Sequence, residues 1–397
     1  MKRLLLLLIL FSFITGIAFS YDFGLLTDQR LEADNEMFIY YPIFTPWFSW
    51  DGGEEWSLYL SAILSLKHRS SFGGAGEIDG WADPVLLLDV SRFCLMYRPN
   101  QNLYIEAGRV NYSDCLGMTA YGLFDGVRLD TGLSTGFLSA GLFFTGLQYK
   151  ETAQIIMTDG DAVNFVNKNK YFASSRMLAG VRYNLPILEY SILSLESLFQ
   201  FDLNGAKDLD GNEKYIHSQY GKAMIELFPQ DKAGLTLGAL LQTMASDAGF
   251  GAAFGALARL RMDIPTSFNS GLRVTGIFTT GPSSDSSYGF TPISSHAQGI
   301  VFSETLSGLA LLSADYTARI NEAFLAEAAL LYFIKTYKDP LLDGNLYGCE
   351  VQASLAWQPL DDLRVTLGSG LFFPGMGNIY TDTGIGWKIR ASLLLSF

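Results

Sequence analysis

Histidine and cysteine are scarce: three of each in 397 residues. His68, His217 and His296 all fall in expected loops. Ser294, Ser295, His296 and Asp285 are close in sequence, but no expected strand holds them in a catalytic geometry. Cys94, Cys115 and Cys349 are odd in number and widely scattered, so they form no disulfide framework and no zinc spacing. There is no phosphate-binding glycine loop. An enzyme and a cofactor are therefore not expected. A basic excess is missing too. Lys and Arg total 27 against 40 Asp and Glu, a formal charge of −13, which argues against nucleic acid as a partner. Beyond the N-terminus no apolar run approaches the roughly 18 residues of a membrane helix. There is no linker, no low-complexity tract and no block of like charge.

What is present is a large amount of evenly spread apolar matter. The chain is 49% hydrophobic, with 40 Gly, 29 Phe and 20 Tyr, and a mean hydropathy of +0.20. It begins with Met1-Lys2-Arg3 and an almost wholly apolar stretch from Leu4 to Phe19. Small residues then precede Tyr21. This reads as a secretory signal peptide over residues 1–20, leaving 21–397 as a single domain. No Cys follows it, so a lipid anchor is not expected. Beyond it, apolar and polar residues alternate. In Trp56–Lys67, Trp56, Leu58, Leu60, Ala62, Leu64 and Leu66 share one parity, and Ser57, Tyr59, Ser61, Ile63, Ser65 and Lys67 the other. That period belongs to a strand, not a helix. Phe324–Tyr337 is the exception: its composition is helix-friendly, and strand is the weaker reading there.

The last segment, Ile385–Phe397, alternates as well. Ile385, Trp387, Ile389, Ala391, Leu393, Leu395 and Phe397 form one fully apolar face, and Gly386, Lys388, Arg390, Ser392, Leu394 and Ser396 form the other, mostly polar one. A strand of this length crosses a bilayer when tilted. An amphipathic strand ending in an aromatic resembles the closing strand of bacterial outer-membrane β-barrels. That resemblance implies an assembly signal in Trp387, Leu393, Leu395 and Phe397, read by the barrel-assembly machinery.

Connections alternate between short and long. The short ones repeatedly hold proline (Pro99, Pro186, Pro229, Pro265, Pro359), which suits turns and not strand interiors. The long ones include His68–Asp83, Glu151–Ser175 and Gly281–Ser303. Short turns on one rim and long loops on the other is the pattern of an up-and-down transmembrane barrel. If the final strand runs down from a long loop, Met37–Trp50 also runs down. A preceding upward strand is then required, and Tyr21–Gln29 is the only candidate. The expected fold is an all-β antiparallel transmembrane barrel of about 18 strands, or about 16 if two short ones fail. Its short turns would be periplasmic and its long loops extracellular. Aromatics near expected strand ends (Trp47, Trp50, Trp56, Tyr97, Tyr104, Tyr112, Tyr332, Trp357, Phe373, Trp387) read as two interfacial girdles.

A barrel this wide is not filled by its own wall residues. The polar parity assigns to its interior the basic residues Arg128, Arg182, Arg259, Arg261, Arg273, Arg364, Lys388 and Arg390. It also assigns Asp130, Glu196, Asp202, Glu226, Asp263, Asp315, Glu327 and Glu350. Such a mixed lining predicts a weakly selective aqueous pore, locally basic near the closure at Arg364, Lys388 and Arg390. Any one of these residues could equally be part of a wall salt bridge. Asp208-Leu209-Asp210-Gly211-Asn212 hints at a calcium loop. With Gly211 as the required glycine, however, the first and twelfth positions are Ala206 and His217, so no metal is expected.

Ile105-Glu106-Ala107-Gly108-Arg109, followed by Phe124-Asp125-Gly126-Val127-Arg128-Leu129, is similar to a pattern in Gram-negative porins and alginate-export barrels. This resemblance covers about a tenth of the chain. It implies an outer-membrane channel for passive diffusion of small hydrophilic solutes, in contact with outer-membrane lipid. Alginate-export pores are lined heavily with Arg; the mixed lining here departs from that. Monomer and homotrimer both stay open. The alternative reading is a surface adhesin or structural barrel whose loops plug the mouth. An N-terminal plug would need more chain than Tyr21–Asn35.

Overall fold

The computed structural model describes residues 20–397 apart from 73–77, 82–84, 168, 204, 228–231, 248, 283–288, 339–343 and 380–383. The expected signal peptide thus lies almost wholly outside the described residues, as do most of the turn at Pro229 and parts of the loops His68–Asp83 and Gly281–Ser303.

Apart from a short extra strand, Ile78–Trp81, paired only to Trp56–Phe72 among the described residues, the wall is a closed circuit of 18 antiparallel strands. In chain order these are β1 (Ser20–Asp34), β2 (Met37–Asp51), β3 (Trp56–Phe72), β4 (Val85–Asn100), β5 (Leu103–Ser113) and β6 (Tyr121–Leu133). Then follow β7 (Gly136–Phe144), β8 (Arg176–Leu188), β9 (Ser191–Asp202), β10 (Ile216–Leu227), β11 (Ala233–Ser246) and β12 (Gly249–Ile264). The circuit ends with β13 (Ser270–Thr279), β14 (Leu309–Arg319), β15 (Phe324–Lys335), β16 (Leu346–Leu360), β17 (Leu363–Phe373) and β18 (Gly386–Ser396). Each strand pairs with the next, and β18 pairs with β1 from Leu26↔Ser396 to Asp34↔Lys388. The first strand is therefore in the wall, and it is longer than Tyr21–Gln29. Closure joins the first strand to the last, so nearly all strand backbone groups find partners inside the wall, as a lipid environment demands; the upper part of the β4–β5 seam is the exception.

Side chains follow the parity. On β9, Leu195, Phe199 and Phe201 are exposed outward, while Ser194, Glu196, Leu198 and Gln200 are buried inward. Phe324–Lys335 is a strand despite its composition, because alternation and two flanking partners override local propensity. Pro42 and Pro46 are tolerated inside β2. They sit four residues apart on one parity, and the pairing with β3 skips both while that with β1 is continuous.

Several boundaries move. Pro186 lies within β8 beside a register shift, and the turn falls at Glu189-Tyr190. Pro99 and Pro359 likewise lie in the last turns of β4 and β16, next to irregular pairings. β7 stops at Phe144. His68 and His217 are on strands, not in loops. On the upper rim the connections at Asn35-Glu36 and around Asp247 are short, against the long-loop rule. The loop after β7 contains a helix the sequence reading missed, α1 (Asp159–Val166), started by a capping box between Thr158 and Asp161.

The lower girdle is real on the outer face: Trp56 stacks on Tyr97 at 4.1 Å and Phe324 on Trp357 at 5.9 Å. Trp47, Tyr104 and Tyr112 are not in it. Their parity points inward, where Trp47 stacks on Tyr59, Arg128 lies over Tyr104, and Tyr112 meets Phe143.

Candidate pore constriction

Three upper loops turn into the barrel and meet there. The first, Asp114–Ala120, is shaped by one carboxylate. Asp114 accepts hydrogen bonds from the backbone N–H of Leu116 (3.0 Å), Thr119 (2.7 Å) and Ala120 (2.8 Å). Gly117, at φ +67°, makes the reversal inside this knot. Lys222 on β10 ties the knot to the wall, with Nζ 3.3 Å from Asp114 and 3.9 Å from Glu196; all three side chains are buried. Glu196 also accepts the Cys115 N–H at 2.6 Å, a hydrogen bond from Tyr112 Oη, and one from Arg182 at 3.2 Å. Leu116 and Met118 then reach across to β11 and β12. The space they occupy exists because the wall has glycine there: a Cβ at Gly238 would lie 2.2 Å from Leu116 Cδ2.

The second loop runs from Thr280 to Gly308, described except at 283–288. It is held at three places. Gln242 on β11 clasps Thr291, accepting its N–H at 2.9 Å and donating to its carbonyl at 3.0 Å. Ser294 Oγ accepts the Tyr121 N–H at 3.0 Å and donates to the Tyr121 carbonyl at 2.8 Å. Glu350 on β16 accepts the N–H groups of Ile300 (2.7 Å), Val301 (3.1 Å) and Phe302 (2.8 Å). The Ile293 and Ser294 N–H groups bond to the Thr119 carbonyl, joining this loop to the first.

The third loop, Thr145–Ser175, joins through Ile156 N–H to the Ile293 carbonyl and Ser295 N–H to the Gln154 carbonyl. Its helix α1 is anchored by Arg176, which is fully buried and 2.6 Å from Asp161. Leu116, Met118, Phe290, Ile293, Phe302 and Leu306 form one apolar cluster with inward residues of the wall such as Phe143, Leu198, Leu240 and Phe333. A hydrophobic core thus sits inside the barrel, against part of its wall.

This core sorts the residues expected to line the interior. Glu196 and Glu350 face inward but are buried beneath the loops, 3% and 0% exposed. They hold the constriction and do not meet a free lumen, because parity reports direction and not what stands in front. Asp202 is similar, its carboxylate 4.0 Å from Arg176. Arg182 is spent on Glu196. Arg128 lies between Glu106 (2.9 Å) and Asp130 (3.1 Å). Lys388 and Arg390 share Glu32 of β1 at 3.2 and 3.6 Å, so the closure is a charged triad and less purely basic than expected. Arg259, Arg261, Arg273, Arg364, Glu226, Asp315 and Glu327 make no ion pair within 4.0 Å among the described residues. Arg261, Arg273, Arg364 and Glu327 are exposed on the interior parity below the loops, as is Asp263.

Sequence reading missed Asp114, Lys222, Arg176, Arg92 and Glu106. Lys222 and Glu106 were legible as inward residues by parity. Arg92 was hidden by a bulge at Ser91 that flips the parity of β4. Asp114 carried no signal, since a loop aspartate is ordinarily solvated. Asp208 accepts the N–H groups of Asp210 (3.0 Å) and Asn212 (2.9 Å) and lies 3.6 Å from Lys214, so its carboxylate closes a turn. Trp387, Leu393 and Leu395 are on the outer parity of β18. Phe397 pairs with Leu25 through both backbone hydrogen bonds, at 2.9 and 3.1 Å, and its side chain is exposed.

No family model matches the chain, and no curated protein does. Solved structures match over 95% of its length. Pseudomonas aeruginosa OccK5 (OpdH) aligns with a TM-score of 0.61 at 9% identity, covering 98% of that chain. Pseudomonas aeruginosa OpdQ aligns at 0.60 and 12% identity over 98%, and Pseudomonas aeruginosa OprD at 0.58 and 11% over 95%. The fold is that of the OprD/Occ barrels. An OprD/Occ-type wall of 18 strands, nearly end to end, is what the chain shares with them. At this identity, the side chains inside the wall have to be interpreted from this chain alone.

Proposed function

We propose that this chain is an outer-membrane porin passing small hydrophilic solutes by passive diffusion, without catalysis, through the part of the lumen its loops leave free. One observation carries the reading: a packed loop constriction stands beside wall strands whose inward charges keep solvent access. Arg30, Arg92 and Arg390 have side chains 46%, 41% and 46% exposed. Their acidic neighbours Asp28, Glu106 and Glu32 are at most 19% exposed. The groups offered to a solute on this side are thus mainly guanidinium, and a charged ring at a narrowing sets the sign of the preferred ion. The pore therefore favours small anions, more clearly than a balanced lining implied.

The localisation is the outer membrane, with lipid as the outer solvent and the C-terminal strand as the assembly signal. Exposed Leu, Phe and Val on the outer parity support it. Single-channel conductance in a planar bilayer, with reversal potential in a KCl gradient, tests the reading. A heat-modifiable, folded barrel that never conducts would sink it. The second reading, a barrel shut at rest by its loops, is favoured by the depth at which Asp114, Glu196 and Glu350 are buried. Removing part of Gly281–Ser303 separates the two: conductance rises sharply only if the loops shut the pore.

A further inference from the structure

The wall is not uniformly sewn. β4 and β5 pair from Asn100↔Leu103 up to Cys94↔Gly108 and no further, although β4 continues upward to Val85 and β5 to Ser113. The divergence is built in. Gly108 has φ +125°, and a Cβ there would lie 2.1 Å from the Phe93 carbonyl oxygen. Above it, β4 offers its carbonyls to side chains in place of a strand. Val90 O accepts from Arg109, and Leu88 O accepts from the Tyr171 hydroxyl. Arg109 fills the breach, paired with Asp125 at 2.9 Å and Asp89 at 3.3 Å. The Gly108-Arg109 and Asp125-Gly126 pattern in the sequence is thus the cross-strand pair Arg109↔Asp125 at the lip of a gap.

The loop after β7 crosses this gap. The Leu147 carbonyl accepts from Arg109 at 3.2 Å, Gln148 donates to the Leu123 carbonyl, and Thr152 donates to Asp89 at 3.0 Å. A cavity of about 390 Å³ remains beneath it. Its lining joins the two faces of the wall: Ile63, Asp89 and Phe124 are on the inner parity, Val90 and Leu123 on the outer. The height is that of the outer leaflet. Lipid-facing side chains on β4 run from Tyr97 in the lower girdle up to Leu86, Leu88 and Val90, which are 62%, 61% and 48% exposed. That is about the strand length a bilayer core requires.

We propose that this breach is a lateral binding cleft for an amphiphile from the outer leaflet, with an uncharged polar head and an apolar tail. The chemistry of the lining gives the class. Arg109 is taken up by Asp125 and Asp89, which more than offset its charge, and the second Asp89 oxygen accepts from Thr152, so no free cation among the described residues of the lining is offered to an anionic head; the groups left to a head are the amides of Asn111, Gln148 and Gln154 and the hydroxyl of Ser91. Ile63, Val90, Leu123 and Ile155 supply the apolar side. A small cleft with a few convergent polar groups is the usual form of such a site. Tyr171 and Thr152 fasten the loop that closes it.

The test uses the full chain in phosphatidylethanolamine/phosphatidylglycerol nanodiscs and a photoreactive octyl glucoside with a diazirine on its alkyl chain. The expected result is saturable labelling at Ile63, Val90 and Leu123. Excess unlabelled octyl glucoside should reduce it about tenfold, and glucose should not. Ser91→Trp, which fills the cleft, should abolish that labelling at unchanged ionic conductance. Tyr171→Phe, which loosens the cover, should speed it severalfold. Labelling spread evenly around the outer belt, undiminished by competitor or by Ser91→Trp, overturns the proposal. Competition by glucose alone overturns the outer leaflet as its source. A second filling variant, Asn111→Trp, gives the same reading if Ser91→Trp does not fold.

Discussion

Glu350→Ala should open the constriction without unfolding the barrel. The carboxylate has no cation within 4.0 Å among the described residues and is 0% exposed. Its charge is held by three backbone N–H groups of one loop and by Gln352 Nε2 at 2.8 Å. A hydrogen bond to a charged group contributes about 1.5–3 kcal/mol net. Three of them at the lower end amount to about 4.5 kcal/mol, or about three decades in the docked-to-released ratio of residues 299–302. The released N–H groups can reach lumen water, so the upper end is not attained. The wall loses little, because β16 keeps its pairing with β15 and β17. The clasps at Thr291 and Ser294 also remain, so release is local. Unit conductance should rise and become noisier, and protease should cut near Gly299 in the variant alone. Glu350→Gln keeps one acceptor oxygen and should fall between. A folded, heat-modifiable Glu350→Ala barrel with wild-type conductance and wild-type protease resistance would refute the anchoring argument.

Acid should loosen the other anchor. Burial alone would raise the Asp114 carboxyl, but the Lys222 charge and the N–H groups of Ala120, Thr119 and Leu116 hold it below its usual range. A depressed carboxyl contributes fully above its unfolded value of about 3.9 and is lost as pH falls through the folded one. Conductance should therefore stay flat from about pH 8 to about pH 5 and change only below about pH 4; a step near pH 6.5 would assign the anchor to another group. Lys222→Met removes the compensating charge and should move that threshold upward in the same titration. Arg92→Glu with Arg390→Glu reverses two lumen charges. A change of two units acting at about 8 Å in water is about 1 kcal/mol per site, against an anion and in favour of a cation, so the anion-to-cation permeability ratio should fall up to about thirtyfold for each at low salt. An unmoved reversal potential would put the solute path elsewhere. Deleting Phe397 removes two backbone bonds to Leu25 and the terminal aromatic, and should cut the yield of heat-modifiable barrel in cells more than it lowers the stability of barrel already folded.

The wall was legible in the sequence, and its contents were not. Period-2 alternation fixes which face each strand presents, so Leu195, Phe199 and Phe201 could be sent to lipid and Glu196 inward from the letters alone. Closure was legible because the strand count had to be even and Tyr21–Gln29 was the only segment left. Bulges were not: at Ser91 one extra residue reverses the parity, so Arg92 faces the lumen although it is in step with the lipid-facing Leu88 and Val90. Loop folding was least legible. Ser113-Asp114-Cys115-Leu116-Gly117-Met118 has the composition of an ordinary surface turn. Its course depends on Lys222 and Gly238, more than a hundred residues away. Long-range partners of that kind leave no periodic trace.

That limit bears on selectivity as well as shape. By parity, acids and bases inside the barrel balance. The structure removes them from solvent unequally. Asp114, Glu196 and Glu350 are buried as anchors for backbone N–H groups, and Asp28, Asp89 and Glu106 are buried against arginine. Carboxylates suit this work because an acceptor-only group can gather several N–H donors of a folded loop, which a guanidinium cannot. The bases buried in exchange are fewer, Lys222, Arg176, Arg109 and Lys335, while the side chains of Arg30, Arg92 and Arg390 stay 46%, 41% and 46% exposed. Holding loops inside a barrel with carboxylates therefore leaves exposed guanidinium groups on the wall beside them. The proposed anion preference would then follow from how the loops are fastened, in a chain whose net charge is −13.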